Sequence, residues 1–357
     1  MSDTSLIQCV HNSIAKDGGK LALLSKNGRL LLAIPEQKEA AMKALSLYQP
    51  QRLVAKAYMG LAKAAMLAGV HHRIFPKQLV SAENLDLHPE FPPVCGGTCG
   101  ILLGSPEHKV RRAIACYRTA TGWEVAKAAF GPEGWDVIGG EAATLNSLPP
   151  KTAGAPESLG THRGKDISLM RMPYISGRVL KLGKTEEAIA ILEAWISKNQ
   201  QTKPLVEFAE WSMIRSALSE HPKAESIISR FAELQLTPAV RHGDFARWNL
   251  LRGIGGKLVV LDWEWGVPNG MPGLDLVHYF AQDARLVQRL KANEVVDAVH
   301  RSLHKPSCVD YLKKSGWGTD VASAIVASIA FTVGAKQQAN EEVLEAALHA
   351  WHHANHR

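Results

Sequence analysis

The spacing of apolar residues changes character along the chain. Between residues 37 and 68 it is helical: Gln37 to Tyr48 reads as one helix, Pro50 as a break or a new helix start, and Arg52 to Ala68 as a second helix. In the second, Val54, Tyr58, Leu61 and Ala65 recur at three- and four-residue spacing, which predicts one buried face, and Gly69 is a suitable stop. With a short polar start, this predicts an N-terminal helical extension over residues 1–92.

From Gly100 short apolar runs replace the helical period. Ile101 to Leu103, Val110 to Tyr117 and Glu124 to Phe130 read as strands, the last two joined by a turn at Thr119-Ala120-Thr121-Gly122. A helix around Gly140 to Leu148 and a strand from Ile167 to Met172 follow. After Gly183 the pattern is helical again. Glu186 to Lys198 has acidic residues in its first turn, which complement the helix dipole, and helices around Phe208–Leu218 and Ala224–Leu234 come next. Two short strand-like pieces, Leu250-Leu251 and Leu258 to Leu261, flank a glycine-rich turn, and the chain from Leu274 onward is mainly helix. The expected fold class is therefore α+β in two lobes, a small sheet-rich one over 93–173 and a large helical one over 174–357.

Composition narrows this picture. A chain of 357 residues exceeds what one compact core usually holds, which agrees with two lobes. Hydrophobic residues at 46% and charged residues at 21% are those of a globular protein, not a disordered one. The net charge of +7 suits an anionic ligand, but Lys and Arg are spread without a dense run, so no nucleic-acid partner is expected. The longest apolar stretch, Val321 to Ala335, falls short of the ~20 residues of a membrane span and reads as a buried helix; no membrane association is expected. Nor does an apolar segment follow a basic start. Five scattered cysteines without histidines at ligand spacing argue against zinc and suit reduced thiols in a cytoplasmic protein.

Candidate chemistry is concentrated in Arg241-His242-Gly243-Asp244-Phe245-Ala246-Arg247-Trp248-Asn249 and in Leu258-Val259-Val260-Leu261-Asp262-Trp263-Glu264. Phosphoryl transfer to a hydroxyl needs a carboxylate by the acceptor proton and oxygen ligands that hold magnesium against the phosphates. Asp244 can orient or accept that proton. Asn249 can offer an amide oxygen to the metal, and Asp262 stands at the end of an apolar strand where it can bind the same ion. The glycine-rich turn would pair the two strands and bring Asn249 and Asp262 together. Taken singly, Asp244 could instead cap a helix, Asn249 occupy a turn and Asp262 form a structural salt bridge.

His242-Gly243-Asp244-Phe245 with Asn249, then Leu261-Asp262-Trp263-Glu264, then Gly273-Leu274-Asp275-Leu276, resembles the signature of the aminoglycoside phosphotransferase and choline kinase superfamily, which has a protein-kinase-like fold. The resemblance implies Asp244 as catalytic base, Asn249 and Asp262 as Mg2+ ligands, Asp275 as buried support of the loop, and His242 as its organiser. Arg247 stands where relatives commonly have Pro; it could reach a phosphate or the acceptor or face solvent, and solvent is the expectation. Further upstream, Val125-Ala126-Lys127-Ala128 resembles the strand whose lysine meets the nucleotide phosphates, and Glu141 the helix glutamate that pairs with it. Gly104 to Lys109 holds the position of the loop over the phosphates, with Ser105 able to bond them, and Met170 to Gly177 resembles the inter-lobe hinge, with Met172 facing the nucleotide base. The resemblance spans roughly residues 100–280.

The implied function is transfer of the γ-phosphate of ATP, with GTP also open, to a hydroxyl of a small molecule such as a sugar, amino alcohol or aminoglycoside-like compound. The alternative is a catalytically silent pseudokinase that serves as a binding module. Gly243 in place of the usual Arg, and Trp263-Glu264 in place of Phe-Gly, separate the chain from protein kinases.

Overall fold

The structure is a computed structural model that describes residues 2–15, 18–26, 29–48, 50, 53–80, 99–105, 109–181, 183–222, 224–335 and 341–355. The chain forms two compact units, Met1–Asn146 with Pro156–Ser176, and Ser147–Ala155 with Gly177–Arg357.

In the first unit the elements run α1 (Asp3–Ile14), β1 (Gly19–Lys26), β2 (Arg29–Pro35), α2 (Lys38–Ser46), α3 (Leu53–Leu67), α4 (His71–Ile74), β3 (Lys77–Val80) and β4 (Gly100–Leu103). They continue with β5 (Arg112–Thr119), β6 (Gly122–Phe130), α5 (Gly134–Ser147), β7 (Gly160–Arg163) and β8 (Ile167–Pro173). All eight strands form one sheet in the order β3-β1-β2-β4-β5-β6-β8-β7, every neighbouring pair antiparallel.

This corrects the expected N-terminal helical extension. Its helices α2 and α3 are present, but residues 3–80 also supply α1 and three strands to the same sheet as β4–β8. The reason lies in burial on both faces. Leu21 and Ala33 face a core shared with Leu6, Ile7 and Val10 of α1, while Ala22, Leu24, Leu32 and Ile34 face Ala41, Leu45, Ala62 and Met66 of α2 and α3. A strand covered on both sides is apolar at nearly every position and carries no period of two. The buried face of α3 also differs from expectation: Ala62, Ala65 and Met66 are buried, whereas Val54 is 84% and Leu61 72% exposed. Small residues permit close approach to Ala41 of α2, so the larger side chains are left outside.

In the second unit β9 (Gly177–Val179), α6 (Thr185–Trp195), β10 (Lys203–Pro204), α7 (Trp211–Ser219), α8 (Glu225–Glu233), β11 (Gln235–Leu236) and β12 (Ala239–Arg241) lead to the hairpin β13 (Leu250–Gly253) and β14 (Leu258–Val260). After β15 (Val267–Gly270) come α9 (Leu274–Gln282), α10 (Ala292–Leu303), α11 (Pro306–Ser315), α12 (Val321–Gly334) and α13 (Glu341–Asn355). β9 adds to β13, and β12 pairs with β15. A sheet-rich first unit and a mainly helical second one is the α+β division expected. Among the described residues no helix is long and apolar enough to cross a membrane.

Candidate active site

The loop between β12 and β13 is built on Gly243. Its φ of 86° lies in the left-handed region, and a Cβ there would come within 2.6 Å of Trp265 Cβ. Glycine alone lets the chain turn here. The turn aims the amides of His242 and Gly243 at one carboxylate: both donate to the buried Asp275 at the start of α9, at 2.6 and 2.9 Å. His242 locks the loop from inside. One ring nitrogen, Nε2, lies 3.0 Å from the Leu261 carbonyl and the other accepts from the Asp244 amide at 3.2 Å, which sets Nε2 as the protonated nitrogen. Burial lowers its pKa, with Asp275, Asp244 and Asp262 pulling the other way, so the ring is neutral and both nitrogens are used. Trp263 packs edge-on against it at 4.8 Å.

Asp244 itself is about one-third exposed and held at both oxygens. Asn249 Nδ2 donates to Oδ2 at 3.1 Å and to the Asp244 carbonyl at 2.9 Å, and His278 Nε2, from α9, lies 3.0 Å from Oδ1. With its nitrogen turned to Asp244, Asn249 has its amide oxygen left as a metal donor. The Asn249 carbonyl accepts from Leu261 N at 2.8 Å, which ties it to the residue before Asp262. Asp262 has a φ of 72°, in the left-handed region that is uncommon for any residue but glycine although Asp enters it more readily than most; such outliers concentrate at functional sites. The β13–β14 hairpin, with Leu250 opposite Val260, is what brings these residues to one end of one small sheet.

The chain's fold is similar to that of solved small-molecule kinases. Choline kinase LicA from Streptococcus pneumoniae matches at 16% identity over 70% of this chain and 92% of its own, with a TM-score of 0.42. A thermostable mutant of aminoglycoside phosphotransferase APH(4)-Ia, in ternary complex with ADP and hygromycin B, matches at 11% identity, 71% and 94% coverage and a TM-score of 0.45. Plasmodium vivax ethanolamine kinase matches at 11% identity, 70% and 81% coverage and a TM-score of 0.42. No family model and no curated protein sequence matches.

Of the other expected site residues, Lys127 and Glu141 meet. Lys127 Nζ, on β6, donates to both carboxylate oxygens of Glu141, on α5, at 2.6 and 2.8 Å, and Glu141 is buried. Met172 is buried in β8 opposite Val125, the strand of Lys127. Ser105 is exposed in the β4–β5 connection, of which Pro106, Glu107 and His108 lie outside the described residues. Arg247 corrects the expectation of a solvent-facing side chain: it is mostly buried, with Nε 3.2 Å from Asp283 Oδ1. His278 was not singled out by sequence, because a histidine inside an apolar helix carries no motif. Its only signal is its place three residues, about one turn, beyond Asp275.

Among the described residues no cluster of three or more His, Cys, Asp or Glu could hold a metal. Magnesium needs none, since it commonly takes one or two carboxylates with substrate phosphates. Asn249 and Asp262 are oxygen donors, and the one imidazole of the loop, His242, has both nitrogens engaged. The donor set fits that ion.

Proposed function

We propose that the protein is a magnesium-dependent phosphotransferase that moves the γ-phosphoryl group of ATP or GTP to a hydroxyl of a small molecule. The observation that carries this reading is Asp244, a partly exposed carboxylate fixed at both oxygens by His278 and Asn249, in a loop bolted to Asp275. Such fixation holds a general base in one orientation without side-chain reorganisation.

Asp244 accepts the acceptor's hydroxyl proton as the new O–P bond forms and the bond from Pγ to the β-phosphate oxygen breaks, releasing the nucleoside diphosphate. His278 keeps Oδ1 in place during that transfer. Lys127, oriented by Glu141, binds phosphate oxygens, with Ser105 and the backbone near Met172 as further nucleotide contacts. Asn249 and Asp262 would hold Mg2+, which when bound neutralises charge on the phosphates.

The test is thermal unfolding with and without Mg·ATP or Mg·GTP, in the parent and in Asp262→Ala. At ~100 times the dissociation constant, binding adds about 2.7 kcal/mol of stability. A magnesium-dependent shift that disappears in the variant is expected. No shift with either nucleotide would sink the reading in favour of a silent binding module.

A further inference from the structure

The two faces of strand β6 are covered differently. Ala126 and Ala128 point into the core that α1 shares. Trp123, Val125 and Lys127 alternate to the other side, with Ile114 of β5 opposite Lys127 and Met172 of β8 opposite Val125. Val125, Ile114 and Leu102, which lies opposite Ile114 on β4, are half-buried. They make an apolar floor beside the Lys127 ammonium.

Helix α2 crosses the far end of this floor. Ala44 rests on Gly100, where a Cβ would overlap it, and Gly100 pairs with Cys116 on β5. Glu39, Lys43 and Ser46, spaced by four and three residues, share one side of α2. Glu39 accepts from Trp123 Nε1 at 3.0 Å, and Ser46 and Tyr174 are joined hydroxyl to hydroxyl. Between these two contacts Lys43 Nζ lies 4.4 Å from the ring centre of Tyr174 and 5.9 Å from that of Trp123. The rings hold the ammonium in place by cation–π attraction, and it brings three N–H donors and no acceptor.

Position along β6 puts these groups in order. Val125, with Met172 opposite, is two residues from Lys127. Trp123, whose carbonyl accepts from the Tyr174 amide at 2.9 Å, is four residues away, roughly 13 Å of strand. A triphosphate on Lys127 with its base beside Met172 therefore directs its nucleoside toward α2. We propose that Lys43 is a nucleotide-binding residue that donates to a lone pair of the nucleoside, and that α2 is the end wall of the nucleotide site. This rests on the reading of Lys127 and Met172 as nucleotide contacts, and it gives the N-terminal segment a part in substrate binding.

Two probes separate the ends of the site: Mg·ATP, and Mg·tripolyphosphate, which keeps the phosphates and lacks the nucleoside. Both are titrated calorimetrically into the full chain and into Lys43→Met, Lys43→Arg and Lys127→Met. Lys43→Met should weaken Mg·ATP by about tenfold or more and Mg·tripolyphosphate by less than about twofold, while Lys43→Arg keeps most of the affinity. Lys127→Met should weaken both probes. Melting temperatures without ligand report whether each variant folds, and Lys43→Gln serves in place of a methionine that disturbs the packing of α2. Mg·ATP affinity unchanged in folded Lys43→Met, or an equal loss for both probes, would overturn the inference and leave the phosphotransferase reading standing. A parent protein that binds neither probe defeats that reading, and this inference with it.

Discussion

Lys127–Glu141 in the first unit and Arg241–Glu210 in the second are ion pairs of almost the same length, 2.6 and 2.7 Å, and both are largely buried. Their surroundings differ. Glu210 Oε1 also accepts from the Met271 amide at 3.2 Å, and the Arg241 guanidinium lies 4.7 Å from the ring centre of Phe331. That pair is closed in by backbone and ring, and it braces the strand that leads into the Asp244 loop. Glu141, by contrast, gives both oxygens to a lysine whose side chain is still 14% exposed. Length and burial therefore do not by themselves distinguish the two pairs, and their response to substitution does.

The largest expected effect tests the brace. Glu210→Ala leaves the Arg241 charge buried and uncompensated, and should lower the unfolding free energy in urea by about 3–5 kcal/mol. Stability equal to the parent's would erase the distinction between the two pairs. The opposite profile is expected of Glu141→Gln. Here stability should fall by no more than about 1–2 kcal/mol, since Lys127 reaches solvent, while affinity for Mg·ATP drops about tenfold or more by titration calorimetry. Unchanged nucleotide affinity would place Lys127–Glu141 beside Arg241–Glu210 as scaffolding.

A third, smaller effect sharpens the contrast within the loop. His242 is held neutral, its pKa below the ordinary 6.5 because burial penalises the imidazolium. Below that pH the unfolded chain takes up a proton that the folded one refuses, so stability falls as pH drops. The contribution is at most about 1.4 kcal/mol per pH unit. His242→Gln should flatten the acid limb of a stability–pH curve, and an equally steep limb in that variant would remove His242 as its source.

The Asp244 loop was legible because its chemistry sits on few residues at short spacing: Asp244, Asn249 and Asp262 around a glycine-rich hairpin. The pairing of Leu250 with Val260 then follows from local turn chemistry. Lys127 and Glu141 were legible only by position relative to that loop. The strands β1 and β2 were not, because Leu21 to Leu24 and Leu30 to Ile34 are apolar without period. The face of α3 was misread for a related reason: a helix apolar nearly all round offers no stripe, and the partner's alanines decide which side packs. His278 was missed, and Arg247 was placed in solvent, because their partners, Asp244 and Asp283, are 34 and 36 residues away.

The eight-stranded sheet has a consequence for how the chain can be cut. Strand β4 is four residues long and lies between β2 and β5, with Leu32 opposite Leu102 and Ala33 opposite Ile101. A fragment that began at residue 99 would turn β4 into an unprotected margin, with bare amides and carbonyls beside the apolar surface that α1 and α2 had covered. Such margins recruit other chains and aggregate. The first eighty residues are thus the selvedge of the sheet, and trimming them unravels the cloth.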